Sequence, residues 1–214
     1  MKKLLLGLCV LPLLLAACSA PEKTASAAAP VPAPVETQKA LPAPVDTTSP
    51  DAATSPFSTS ASSINPSNLH EYLGRDDVLY IDLRDFGDYQ QKHLRNFECI
   101  PYFAYIFNAE APTNPELIQL YGGTVAEPVS TYAESDDLLE VLFPRDATLF
   151  LMCQSGGRVA QCMSLLQAKG YDMSRIYNVG GMGQYTDAAY KPYIVDALEF
   201  KVNATYDIEG LTRN

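Results

Sequence analysis

The chain has 214 residues, with 15 Lys and Arg against 25 Asp and Glu and a formal net charge of −10. So acidic a chain excludes a protein whose affinity comes from neutralising nucleic-acid phosphates, and no nucleic-acid partner is expected. Its two histidines and five cysteines fall at no zinc-ligand spacing, so neither a metal nor another cofactor is expected.

The first residues are Lys2 and Lys3, an apolar region from Leu4 to Leu15, and then Leu15-Ala16-Ala17-Cys18. This pattern resembles the signal of bacterial lipoproteins, and the apolar region is too short for a spanning helix. Residues 1–17 are therefore expected to be a signal peptide and Cys18 the lipidated residue, which implies a lipid anchor at the extracytoplasmic face of a membrane, inner or outer. Cys9 would leave with the signal, and loss of Lys2 and Lys3 would take the net charge to −12. With Cys18 acylated, Cys99, Cys153 and Cys162 remain, an odd number that gives no disulfide framework.

Residues 18–63 are rich in Ala, Pro, Ser and Thr, as in Ala29-Pro30-Val31-Pro32-Ala33-Pro34, with Phe57 the one aromatic. A segment that buries so little cannot offset its ordering entropy, so it is expected to be a disordered, proline-stiffened tether. The folded part is expected over residues 64–214, enough for one core.

Asn65-Pro66 supplies a cap and first-turn proline for a helix, with Leu69, Tyr72 and Leu73 on one face and Gly74 as its stop. Val78 to Asp82 is a buried strand, and Asp85 with Asp88 opens a short helix. The span 102–146 holds the aromatic cluster Tyr102, Phe103, Tyr105, Ile106 and Phe107, expected to be core packing. It also holds an expected short helix from Pro115 to Tyr121, a turn at Tyr121-Gly122-Gly123 and a helix from Ser135 to Pro144.

Thr148 to Met152 is an apolar run without polar alternation, the pattern of a parallel strand covered on both faces. It stops at Cys153, which places that sulfur at the carboxyl end of the strand, where open α/β sheets place their ligands. Ser155, Gly156 and Gly157 lack bulk, so backbone N–H groups can turn toward one point, and the next helix adds the positive end of its dipole. A cysteine there would be held as thiolate. Val159, Cys162, Met163 and Leu166 recur at helical spacing, with Lys169 in the last turn and Gly170 as the stop. Arg175 to Val179 is a further strand, and the alternation of Leu198, Phe200 and Val202 predicts an added edge strand.

Cys153-Gln154-Ser155-Gly156-Gly157-Arg158 resembles the six-residue active-site loop of the rhodanese family. Tyr80-Ile81-Asp82-Leu83-Arg84-Asp85 resembles that family's first strand and Asp-x-Arg turn. His93-Leu94 with Ile100-Pro101 resembles its next segment, and Tyr177 to Met182 its strand ending in Gly-Gly. Lys92 and Asn96 stand where the family usually has glycine, and Tyr185 near its usual tryptophan.

The resemblance implies a single three-layer α/β domain with a mostly parallel central sheet and helices on both faces. An insertion around 102–146 and an extension from about 185 are added to it. It implies a sulfurtransferase of the thiosulfate type, in which Cys153 carries sulfane sulfur as a persulfide. The donor would be a small sulfur-containing anion and the acceptor a thiol or cyanide. Gln154, Ser155, Gly156, Gly157 and Arg158 would bind the anion, with Arg158 either orienting the donor or bracing the loop. Asp82 and Arg84 would support the turn beside the site, and His93 would be structural. Three alternatives stay open: a catalytically silent binding or sensor module, a phosphatase or arsenate reductase using the same loop, and a thiol redox protein.

Overall fold

Apolar runs of the sequence become the strands of a parallel sheet. The computed structural model describes residues 38–196 and 209–214. In chain order the elements are β1 (Val78–Asp82), α1 (Phe86–Gln91), β2 (Lys92–Leu94), β3 (Glu98–Cys99), β4 (Tyr121–Gly123), β5 (Pro128–Ser130), α2 (Ser135–Leu142), β6 (Thr148–Cys153), α3 (Gly157–Ala168), β7 (Ile176–Gly181) and β8 (Ile194–Asp196). The main sheet has the order β3-β1-β6-β7, with every neighbouring pair parallel. Two antiparallel pairs, β2 with β8 and β4 with β5, stand apart from it.

Strand periodicity divides the core in two. Ile81, Leu149, Leu151, Cys153 and Ile176 pack with Leu139 of α2 and with Val159, Cys162, Met163 and Leu166 of α3. Tyr80, Phe150, Met152, Tyr177 and Val179 pack with Leu69, Tyr72, Leu94, Phe97, Met182, Tyr185 and Tyr190. Each fully buried Leu or Phe contributes about 1.5–3 kcal/mol by leaving water. The domain is thus α/β with a mostly parallel central sheet. On its second face lie the 3-10 helices Leu69–Tyr72, Met182–Gln184 and Ala188–Tyr193. The helix expected after Asn65-Pro66 is one of these short 3-10 helices, ended by Gly74 at φ +78.

The structure corrects three expectations. Residues 38–63, expected to belong to a disordered tether, form a strap on the domain. Val45 bridges Ser62, the Asp46 N–H donates to the Ala61 carbonyl at 2.8 Å, and Ala61 is fully buried. The sheet holds the strap too, because the Tyr177 hydroxyl donates to the Pro42 carbonyl at 2.6 Å and the Asn178 amide to the Phe57 carbonyl at 2.7 Å. Proline-rich backbone needs no core of its own when buried side chains of another element take its carbonyls.

Second, Pro115 to Tyr121 is not helical. The Glu116 N–H is taken by the Asn114 side chain at 3.0 Å, and Tyr121-Gly122-Gly123, expected as a turn, is strand β4. Gly122 there passes so near Pro112 and the Asn108 carbonyl that a Cβ would lie 2.2 and 2.6 Å from them. Third, the aromatic cluster is only partly core. Tyr102 and Ile106 are fully buried, while Phe103 is exposed. The strand expected around Leu198, Phe200 and Val202 lies outside the described residues, as do the signal sequence and Cys18.

Candidate active site

The buried run of β6 ends at Cys153, which is 2% exposed. Gln154, Ser155 and Gly156 turn the chain into α3. Gly156 has φ +92, a left-handed backbone that glycine adopts at little cost. That turn directs the Gly156 N–H back onto Cys153, where it donates to Sγ at 3.1 Å. Helix α3 begins at the next residue, so its positive end lies beside the same loop. An N–H donor and the start of a helix thus both lie beside this sulfur.

The neighbouring strand clamps the loop from its other side. Leu151 lies opposite Asn178 and Cys153 opposite Gly181, so β7 takes one residue more than β6 over this interval. Bulges of this kind re-aim side chains beside functional sites. Gly181 then passes so near the Gln154 and Ser155 backbone that a Cβ would lie 2.3–2.5 Å from it. The Gly183 N–H donates to the Gln154 carbonyl at 3.1 Å.

The Arg158 guanidinium braces the loop. It donates to the Leu83 carbonyl at 2.8 Å, lies 3.9 Å from an Asp85 carboxylate oxygen and sits 5.0 Å from the Phe103 ring centroid. Asp82 and Arg84 form a buried ion pair at 2.6 Å. Burial pushes the Asp82 carboxyl up, and the Arg84 guanidinium opposes that. Arg84 also donates to the Lys92 carbonyl at 2.7 Å, which fastens the end of β1 to the start of β2. The pair is a bracket under the site.

Residues of the loop line two cavities. Gln154 and Arg158 line one of about 900 Å³, together with Arg84, Lys92, Tyr185 and Lys191. Ser155, Gly156 and Gly157 line one of about 720 Å³ with Thr59 and Ser60 of the strap. So the structure brings the whole segment Cys153 to Arg158 to one place, with Arg84 beside the first cavity and Asp82 beneath it.

Other candidate groups are not part of the loop. His93 is buried, donates through Nδ1 to the Tyr89 carbonyl at 2.9 Å and stacks on the Tyr89 ring at 4.1 Å. Cys162 is fully buried, and burial pushes its thiol up. Cys99 donates to the Arg84 carbonyl at 3.3 Å, and burial pushes its thiol up to about 12. No group of metal-ligating side chains occurs among the described residues.

Sequence reasoning missed Thr59, Asn178, Gly181 and Gly183. Asn178 left a signal, because it is the one polar residue inside the apolar run Ile176 to Val179. Such a residue must find partners when buried. Thr59 left none.

Comparison with known proteins gives three findings. A rhodanese-like domain family model matches residues 65–188. No curated protein sequence matches the chain. Among solved structures, a rhodanese with anions from E. coli is similar at 18% identity and a TM-score of 0.34, over 56% of this chain and 98% of that one.

Proposed function

The chain belongs to the rhodanese-like domain family, and on that premise we propose that it is a sulfurtransferase whose sulfur carrier is Cys153. The observation that carries this is the Gly156 N–H placed 3.1 Å from Cys153 Sγ in a glycine turn at the start of α3. The Cys153 thiolate attacks the outer sulfur of thiosulfate or a persulfide. The donor's bond to that sulfur breaks, and sulfite or a thiolate leaves with the electron pair. The product, Cys153–S–S⁻, keeps its negative charge near the loop donors. An acceptor thiolate or cyanide then takes the terminal sulfur and restores the thiolate, with no net oxidation.

Six residues from Cys153 to Arg158 make a tight loop, which suits one sulfur atom better than a tetrahedral oxyanion. That supports sulfur transfer over phosphate or arsenate chemistry. With the reading of Leu15-Ala16-Ala17-Cys18 as a lipidation signal, the enzyme works at the cell envelope, tethered through Cys18. The acidic surface repels anions, so donor capture depends on local features.

A specific observation supports a second reading, a binding or sensor module. Cys153 is 2% exposed and Arg158 is engaged with Leu83, which leaves fewer groups free for a donor. Thiocyanate formation from thiosulfate and cyanide separates the two. Turnover lost in Cys153→Ser supports the enzyme, and absence of turnover with every sulfur donor supports the module.

A further inference from the structure

Asn178 is 1% exposed, and all four of its side-chain hydrogen-bonding positions are taken. Nδ2 donates to the Gly156 carbonyl at 3.0 Å and to the Phe57 carbonyl at 2.7 Å. Oδ1 accepts from the Gly180 N–H at 3.0 Å and from the Thr59 hydroxyl at 3.3 Å. Two carbonyls on one side and two donors on the other fix the amide in one orientation. One side chain therefore joins the active loop, the bulge of β7 and the strap.

Gly156 is the residue whose N–H reaches Cys153 Sγ, and its carbonyl lies in the next peptide, across the Gly156 Cα. Its carbonyl accepts from the Asn178 amide and from the Ala160 N–H of α3, each at 3.0 Å, and its Cα faces Thr59 so closely that no side chain fits between them. Both ends of this residue are thus set from outside the loop. Phe57 and Thr59 precede residue 65, where the match to the family begins.

We infer that Asn178 is a positioning residue that holds the Gly156 N–H on the Cys153 sulfur, and that strap residues Phe57 and Thr59 complete this site. The inference rests on the reading of Cys153 as the sulfur carrier. Asn178 touches no substrate and acts through Gly156. Replacing it with aspartate keeps the size, removes both donors and sets a carboxylate against two carbonyl oxygens. The Gly156 carbonyl then loses one of its two donors and keeps the Ala160 N–H at 3.0 Å, so the backbone about the Gly156 Cα is held less firmly and its N–H contact to Cys153 weakens.

The test measures iodoacetamide alkylation of Cys153 in the full-length chain across neutral and alkaline pH, with sulfur uptake from thiosulfate and thermal stability measured in parallel. Asn178→Asp is expected to change the alkylation profile, slowing the neutral-pH rate on the order of tenfold. Thr59→Ala is expected to move it the same way by less. Tyr190→Phe, which removes a hydroxyl donating to Pro66, is expected to lower stability and leave the profile in place. The inference is overturned if both site variants keep the parent profile, or if Tyr190→Phe moves it equally. Should Asn178→Asp fail to fold, Thr59→Ala decides by the same criterion. A parent protein that alkylates normally yet takes no sulfur from any donor removes the transfer reading alone, since alkylation does not require transfer.

Discussion

A Cβ added to Gly156 would lie 1.9 Å from the Thr59 hydroxyl oxygen, across the contact between the active loop and the strap. The same residue has φ +92. Gly156→Ala therefore suffers twice, from an αL backbone and from a collision. The strain alone is expected to cost about 1–3 kcal/mol. Adding Thr59→Ala relieves the collision and leaves the strain, so the double variant should be more stable than Gly156→Ala and less stable than the parent. Urea unfolding checks this, and equal stability of the single and double variants would contradict the contact.

The buried Asp82–Arg84 pair gives a second expectation. Arg84 donates to Asp82 through Nε and Nη2, and its Nη2 also donates to Lys92. Arg84→Met leaves an uncompensated carboxylate under the site and is expected to cost about 3–5 kcal/mol. Arg84→Lys cannot reproduce the planar fork and should recover only part of that loss. Unfolding curves of both variants measure it. A loss in Arg84→Met no larger than an exposed ion pair gives would show the bracket to be unimportant.

How much of this was legible follows from where each signal lies. The unbroken apolar run Leu149 to Met152 ending at Cys153 marked a covered parallel strand and the point where its ligands collect, and both are local properties. Gly156 was legible as a small residue in the turn. Its pairing with Thr59 was not, because nothing in residues 38–63 states what they rest on. Composition says only that such a segment buries little surface of its own, and the sheet supplies the partners through Tyr177 and Asn178. The region around Pro115 was misread for a similar reason. The carbonyls of Leu117 and Asn114 are held by Arg213 from the far end of the chain, at 3.1 and 2.7 Å. No local pattern records that contact.

The three cysteines among the described residues should differ sharply in reactivity. Cys162 is fully buried and Cys99 has its thiol pushed up to about 12, whereas Cys153 has the loop N–H on its sulfur. Brief alkylation of the native protein at neutral pH is expected to label Cys153 and spare the other two, read by peptide mapping. Cys162→Ala should cost about 1 kcal/mol or somewhat more through the cavity it leaves, with sulfur uptake near that of the parent. A reversible Cys153–Cys162 disulfide formed in the active cycle would instead favour thiol redox chemistry.

The proposed anchor is tested in cells. Cys18→Ala should abolish incorporation of labelled acyl chains and move the protein out of the membrane fraction. Sulfur uptake by the purified chain should stay unchanged, since Cys18 precedes the domain that carries Cys153. Continued acylation of the variant would remove the proposed attachment site.

The most direct measurement of the central claim is the mass of the peptide containing Cys153 after the reduced chain meets thiosulfate. One sulfur retained as the persulfide adds about 32 Da, removable by a thiol reductant. The account predicts this gain in the parent, its disappearance when cyanide is added, and its absence in Cys153→Ser. No gain with thiosulfate or with any persulfide donor, in a parent protein whose Cys153 still alkylates, would contradict it.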